Sequence, residues 1–301
     1  MIVINKKLAT LRFSYACHRM PGVRWLGRQI PPLTYYKWAA RAARISYYTY
    51  PSDWRRARYM RQVLAPTFAP DRVKTIAQKN VVFRQWQKIL THGWPSWADQ
   101  WNDWAYIDGE QHLRRALAQG NGAVLLSGHS YGFTSLVAPL LSQKGYRLHR
   151  TGRGHWGDPA ERWGRDWSLE QWEYNSFGQD FWQHVRALNK MHQAVKKNEI
   201  IHILVTGFPH GNPQLEIDFY HKKFFLDAAA LRILETLNAP VLPCVPICDD
   251  SGRLMITIYA PLSPTRAEIM KGFGLMYSRH LKEQPEFANF WRKVAQQRDG
   301  W

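Results

Sequence analysis

The chain has 301 residues, 45% of them hydrophobic, and a formal net charge of +18 from 41 Lys and Arg against 23 Asp and Glu. Apolar and polar stretches alternate along its whole length, which excludes an intrinsically disordered chain and fits one large core. The charge says nothing of the fold, but it limits partners to polyanions: nucleic acid, an anionic membrane surface or an acidic carrier protein.

The 15 Trp residues weigh toward the membrane, because indole rings favour the water–lipid boundary; packing in the core is the other reading of them. Cysteine occurs only at Cys17, Cys244 and Cys248, an odd count without a framework, which points to a reducing compartment. Cys244 and Cys248 stand in the apolar run 241–248 and read as buried hydrophobes; no metal site and no permanently bound cofactor are expected. No stretch reaches the roughly 20 apolar residues that a membrane span needs. The first 20 residues carry Lys6, Lys7 and Arg12 and no signal-peptide core. A cytoplasmic protein, peripheral on the inner membrane and without a transmembrane helix, is the expectation.

In chain order, residues 21–61 are basic and aromatic, with Trp25, Tyr35, Tyr36, Trp38, Tyr47, Tyr48 and Trp54 interleaved with Arg24, Arg28, Lys37, Arg41, Arg44, Arg55, Arg56 and Arg58. Pro31-Pro32 marks a break and Pro51-Ser52-Asp53 a helix start. Such a pattern suits a helix lying in the headgroup zone, or a helical layer on the core with a solvated basic face. It also resembles a stacking platform for single-stranded nucleic acid, but no nucleic-acid module accompanies it and no such partner is expected.

Helices are predicted over 71–91 and 97–104, then over 111–119 up to Gly120. A strand over 123–126 runs through a sharp turn, 128–132, into a helix over 133–142. Strands at 146–149, 200–205, 241–247 and 254–259 alternate with helices at 181–196 and 228–237. This grammar predicts an α/β fold, a mostly parallel central sheet flanked by helices, with an N-terminal helical basic and aromatic layer. The layer would cover 1–105 and the α/β core 106–301, as one continuous domain. Ligands in such sheets bind beyond the carboxyl ends of strands, where His129 stands.

The turn Gly128-His129-Ser130-Tyr131-Gly132 supports two enzyme readings. As Gly-x-Ser-x-Gly it matches a hydrolase nucleophile elbow with Ser130 as nucleophile, and His92-Gly93-Trp94-Pro95 would be its oxyanion loop. Against this, 83–90 look helical where that fold needs a strand, and no strand followed by a triad His closes the chain. Alternatively His129 is a general base, with Gly128 and Gly132 allowing close backbone approach. Arg150, Arg153, Arg162 and Arg165, beyond the next strand, are candidates for gripping phosphates, or are solvated surface arginines.

From about Tyr47 onward the sequence resembles the lipid A biosynthesis (late) acyltransferases of the lysophospholipid acyltransferase superfamily. The matching pieces are Gly109-Glu110-Gln111-His112-Leu113, then Gly120 to His129; Ile217-Asp218-Phe219-Tyr220-His221; Ala239-Pro240-Val241-Leu242-Pro243 followed by Asp250-Ser251-Gly252-Arg253; and Pro285-Glu286-Phe287 with Trp291-Arg292-Lys293. The resemblance implies a lysophospholipid-acyltransferase-like fold. It also implies acyl transfer from an acyl-carrier-protein or coenzyme A thioester to a hydroxyl or amine, with His129 as base in a His-x4-Asp/Glu motif. Here the acid's position holds Thr134, and the family's later Asp-Gln pair is replaced within Val205-Thr206-Gly207-Phe208. Three consequences compete. Glu216, Asp218 or Asp227 supplies the carboxylate from elsewhere; the acceptor is an amine that needs less activation; or catalysis is lost and only lipid or partner binding remains.

Overall fold

The computed structural model describes residues 29–49, 51–97, 100–128, 133–152, 170–173, 181–205, 214–227, 231–263 and 265–296. Three helices come first, α1 (Pro32–Thr49), α2 (Pro51–Leu64) and α3 (Pro70–Trp97), then the single turn α4 (Trp101–Trp104). There follow β1 (Ala105–Asp108), α5 (Glu110–Leu117), β2 (Ala123–Gly128), α6 (Thr134–Gln143), β3 (Leu148–Gly152), β4 (Glu170–Glu173), α7 (Phe181–Lys196) and β5 (Ile200–Val205). The hairpin β6 (Gln214–Phe219) and β7 (Lys222–Asp227) leads to α8 (Leu231–Leu237), β8 (Val241–Cys248), β9 (Leu254–Ile258), α9 (Arg266–Glu283) and α10 (Trp291–Gln296).

Seven strands form one sheet in the order β1-β9-β8-β2-β5-β3-β4, parallel at every pairing but β8–β9. The expected α/β class with a mostly parallel, helix-flanked sheet is what the chain adopts. β2 and β8 are buried at every position, as their unbroken apolar runs require of strands covered on both faces. Alternate side chains supply two cores. Val124, Leu126, Ile201, Ile203 and Val241 pack with α2, α3, α8 and α9, while Leu125, Ile200 and Leu242 pack with α5 and α6. Proline is normally kept out of central strands, but Pro246 lies past Pro243, the last residue of β8 in register with β2.

Several predicted boundaries move. The strand expected at 146–149 begins two residues later, because Tyr146 still belongs to the end of α6: its N–H donates to Leu141 O at 3.1 Å and its hydroxyl to Glu110 Oε1 at 2.8 Å. The helix expected over 97–104 is divided, Trp97 closing α3 and only Trp101–Trp104 forming α4. Strands β1 and β4, the β6–β7 hairpin and α9 were not foreseen.

The N-terminal helices share the first core, through Ala43, Tyr47, Met60, Val63, Val73 and Ile76, and dock on the β8–β9 turn. Asp249 Oδ1 accepts from the N–H groups of Ser251 and Arg253, both at 2.9 Å, and Gly252 takes φ +89°. A Cβ there would overlap the Tyr36 ring, so glycine is needed twice over. Trp86 Nε1 donates to Gly252 O at 2.8 Å, and Lys79 pairs with Asp250 at 2.7 Å. Pro285–Phe287 works similarly: Phe287 stacks on Phe83 at 4.4 Å, and Asn80 Nδ2 donates to Glu286 O at 2.8 Å. Among the described residues no helix is long and apolar enough to cross a membrane.

In α9, His280 is buried beside Phe287 and its Nε2 has no hydrogen-bond partner. Burial pushes the imidazole down from 6.5 to about 4, with Glu283 pulling the other way. The unfolded chain takes up a proton below 6.5 and the folded chain holds out to about 4, so stability is lost as pH falls through that window. The loss from this group is about 3 kcal/mol between about pH 7.5 and about pH 4. Glu286, raised by burial, acts in the opposite sense, its contribution being lost as pH rises above the ordinary carboxylate range. Urea unfolding of His280→Leu at both pH values isolates the histidine: the variant's stability is expected to change less with acid by that amount. An unchanged slope contradicts the assignment.

Candidate active site

The sheet's carboxyl end at β2 is built around Gly128. β2 and β5 run in register to Gly128 and Val205, and Phe133 and Thr134, where α6 begins, are both buried. His129, Ser130 and Gly132 lie outside the described residues, as do Arg153, Arg162 and Arg165 and the side chain of Arg150. What is described is the frame on either side of residues 129–132: a buried strand end and the first turn of a helix.

Gly128 is glycine because of α9. A Cβ on it would overlap the ring of Tyr277, which is 1% exposed and stacks on Phe273 with ring centroids 5.6 Å apart. Gly128→Ala is therefore expected to cost about 1–3 kcal/mol by overpacking. Adding Tyr277→Leu, which removes the ring atoms that the methyl meets, should recover part of it, as read by urea unfolding. A neutral Gly128→Ala would mean that the ring is not seated there.

Beside Gly128 a polar row crosses three strands. Ser127 Oγ and His202 Nε2 lie 2.9 Å apart, both fully buried, and Ser127 also hydrogen-bonds the Cys244 thiol. Burial pushes that thiol up to about 12, so it stays protonated and unreactive. Cys244 and Cys248 are buried and free; Cys17 lies outside the described residues. The row joins β2, β5 and β8 directly below residue 128. It fixes the end of β2.

Of the acids considered for His129, Glu216 and Asp218 are exposed on the hairpin, and Glu216 pairs with Lys223 at 2.5 Å. The side chain of Asp227 lies outside the described residues. Thr134 is 1% exposed and is the first residue of α6. The hydrolase reading loses its oxyanion loop, because His92 to Pro95 lie inside helix α3. A cavity of about 560 Å³ lined by Tyr146, Arg147, Lys197 and Glu199 is at the amino end of β5, the face opposite the one where parallel sheets bind ligands.

The other motif pieces serve as clamps. Gly109 adopts φ +77°, and a Cβ there would run into the Ile258 carbonyl of β9. Burial raises the Glu110 carboxyl, but hydrogen bonds from Lys144, Tyr146 and Arg114 outweigh this and hold it below the usual range. These bonds tie α5 to the end of α6 and so brace α6.

Residues 75–272, from α3 into α9, match the bacterial lipid A biosynthesis acyltransferase family. The chain belongs to that family. No curated protein matches it. Among solved structures it is similar to the crystal structure of the 1-acyl-sn-glycerophosphate (LPA) acyltransferase, PlsC, from Thermotoga maritima, with a TM-score of 0.39 and 12% identity over 77% of this chain and 95% of that one.

For this lipid A acyltransferase family member, sequence reasoning missed Tyr277 and His202. His202 carried no signal beyond a polar residue within the apolar strand 200–205. Tyr277 sits on an unforeseen helix whose start was legible, since Thr265 and Glu268 form a capping box with Glu268 N donating to Thr265 Oγ1 at 3.3 Å.

Proposed function

We propose that this family member transfers an acyl chain from an acyl-carrier-protein or coenzyme A thioester to a hydroxyl or amine on a lipid or lipid-like acceptor, with His129 as general base. The observation that supports it most is the family match spanning the residues between β2 and α6, His129 among them. His129 would take the acceptor's proton as its oxygen or nitrogen attacks the thioester carbonyl. The C–S bond then breaks, and the leaving thiolate receives the proton from the imidazolium. The N–H groups at the start of α6, beside Thr134, are suited to stabilising the tetrahedral oxyanion. Gly128 and Gly132 would leave room for the acyl carbonyl, and Arg150, Arg153, Arg162 and Arg165 would hold phosphates of donor or acceptor.

The reading includes a membrane surface. Lys37, Trp38, Arg41, Arg44, Ile45 and Tyr48 are exposed along α1 at spacings of one helical stripe, and Ile45 and Tyr48 are 66% and 65% exposed. Apolar side chains among cations on one face suit an interfacial helix on anionic lipid. A peripheral place on the cytoplasmic face of the inner membrane follows from that reading, and the surplus of cations also suits an acidic carrier protein.

Thr134 favours a second reading, a non-catalytic relative that binds lipid or a partner, because a hydroxyl cannot offset the charge of an imidazolium. Mass spectrometry of lipid and small-molecule extracts from cells with and without the protein separates the two. A species heavier by one acyl chain, present only with the protein, supports transfer. Identical extracts together with full function of the His129→Ala variant in cells would leave binding alone.

A further inference from the structure

A cleft of about 260 Å³ between α2 and α10 is lined by Ser52, Arg55, Arg56, Tyr59, Asn289, Trp291 and Arg292. Ser52, Arg55, Arg56 and Tyr59 follow one another at helical spacing, so they form one stripe that starts in the first turn of α2. Among the described residues the lining has three guanidinium groups, of which Arg56 already has an interaction partner, and no carboxylate. Arg55 uses its Nε on Pro51 O at 3.4 Å and Arg292 uses its Nε on Gln296 Oε1 at 3.1 Å. Each is thereby held in place with its two terminal NH2 groups left for another acceptor. Trp291 is fully buried, and its Nε1–H has no hydrogen-bond partner.

A buried donor without an acceptor is costly, and clustered guanidinium groups repel unless an anion joins them. The positive end of α2 adds to the same field. The volume is below the roughly 300–1,000 Å³ of pockets that enclose drug-sized ligands, so it suits a small anionic group and not a whole cofactor. Guanidinium forks match tetrahedral phosphate oxygens in pairs, and several together suit a dianion better than a single carboxylate.

We propose that this cleft is a binding site for a phosphoryl group, carried by a lipid headgroup or by a free phosphate ester. Ser52, Tyr59 and Asn289 add neutral hydrogen-bonding groups around it. The site does not rest on the acyl-transfer reading, and a protein without transferase activity would keep it.

The test titrates the full chain with inorganic phosphate by calorimetry, and with vesicles of phosphatidylcholine, alone or mixed with phosphatidic acid, by co-sedimentation. Arg55→Gln/Arg292→Gln is expected to weaken binding by about tenfold or more. Arg58→Gln/Arg61→Gln removes equal charge from exposed positions of α2 outside the cleft and should weaken it by about twofold or less. Binding of inorganic phosphate that the cleft variant loses assigns a free phosphoryl ligand; loss with vesicles only assigns a headgroup. Absence of binding to either probe, or equal losses in the two double variants, overturns the proposal. Should the cleft variant fail to fold, Arg55→Lys/Arg292→Lys keeps both charges, removes only the guanidinium forks and is expected to weaken binding by about threefold; unchanged affinity there overturns it as well.

Discussion

Replacing His129 by alanine is expected to lower thioester-dependent acyl transfer by about 10²–10⁴-fold, the range that a positioned general base supplies. Ser130→Ala should leave the rate within about threefold, since a neighbouring hydroxyl has no part in proton removal when the acceptor itself is the nucleophile. The reverse pattern, with ester hydrolysis lost in Ser130→Ala alone, would restore the nucleophile-elbow reading despite the helical setting of His92. Thr134 decides where in the range the His129 effect falls. In a Ser-His-Asp triad, neutralising the acid costs about 10⁴ in turnover, and this chain carries a threonine in that seat. On the proposed reading, an imidazole without the usual counter-charge is better suited to an amine acceptor, which needs less activation than a hydroxyl. Thr134→Asp should raise the rate with a hydroxyl acceptor more than with an amine. Steady-state kinetics with paired acceptors reads this directly.

Arg84→Ala is expected to destabilise the fold by about 3–5 kcal/mol, the cost of stranding one partner of a buried ion pair. Asp53, in the first turn of α2, is 1% exposed and pairs with Arg84 of α3. Removing the guanidinium takes this pairing from a carboxylate inside the layer. The double change Asp53→Leu/Arg84→Met should recover most of the loss, because apolar groups of similar size avoid the desolvation cost altogether. Urea unfolding of the three proteins tests this. A loss below about 1 kcal/mol in Arg84→Ala would place the pair with surface ion pairs of little worth.

The parts of the fold that read clearly from sequence are those whose burial is complete. β2, β5 and β8 are apolar runs bounded by turn residues, and the Asp249 to Gly252 turn carries its own side-chain and glycine signals. The hairpin of β6 and β7 was hidden because its turn uses Tyr220 at φ 58° in place of glycine or asparagine. Tertiary contacts hold that conformation: the Tyr220 hydroxyl donates to Lys282 O at 2.8 Å, and its ring meets Phe68 at 5.3 Å. Helix α9 was obscured because Gly272 and Gly274 lower helix propensity. Gly274 is buried against Leu215 and the Glu216 carbonyl, so the glycine serves the approach of the hairpin.

Beside the candidate site, the strand that ends at Gly128 and the helix that begins at Thr134 follow from 123–134 alone, whereas the ring that shapes Gly128 comes from nearly 150 residues away on α9. The family's other motif pieces could not be told from catalytic residues by sequence. In the fold Gly109, Glu110, Gly252 and Phe287 clamp helices to the sheet. Function-bearing and structure-bearing glycines look the same until a neighbour is seen to fill the missing Cβ.

The most direct measurement is made with purified protein, an acyl-carrier-protein thioester and an acceptor bearing a free amine or hydroxyl. Thiol release and the mass of the acceptor are followed together. Transfer through His129 predicts one acyl chain gained per thiol released, and neither change with the His129→Ala protein. Thiol released without any gain in acceptor mass, or equal product from both proteins, would contradict it.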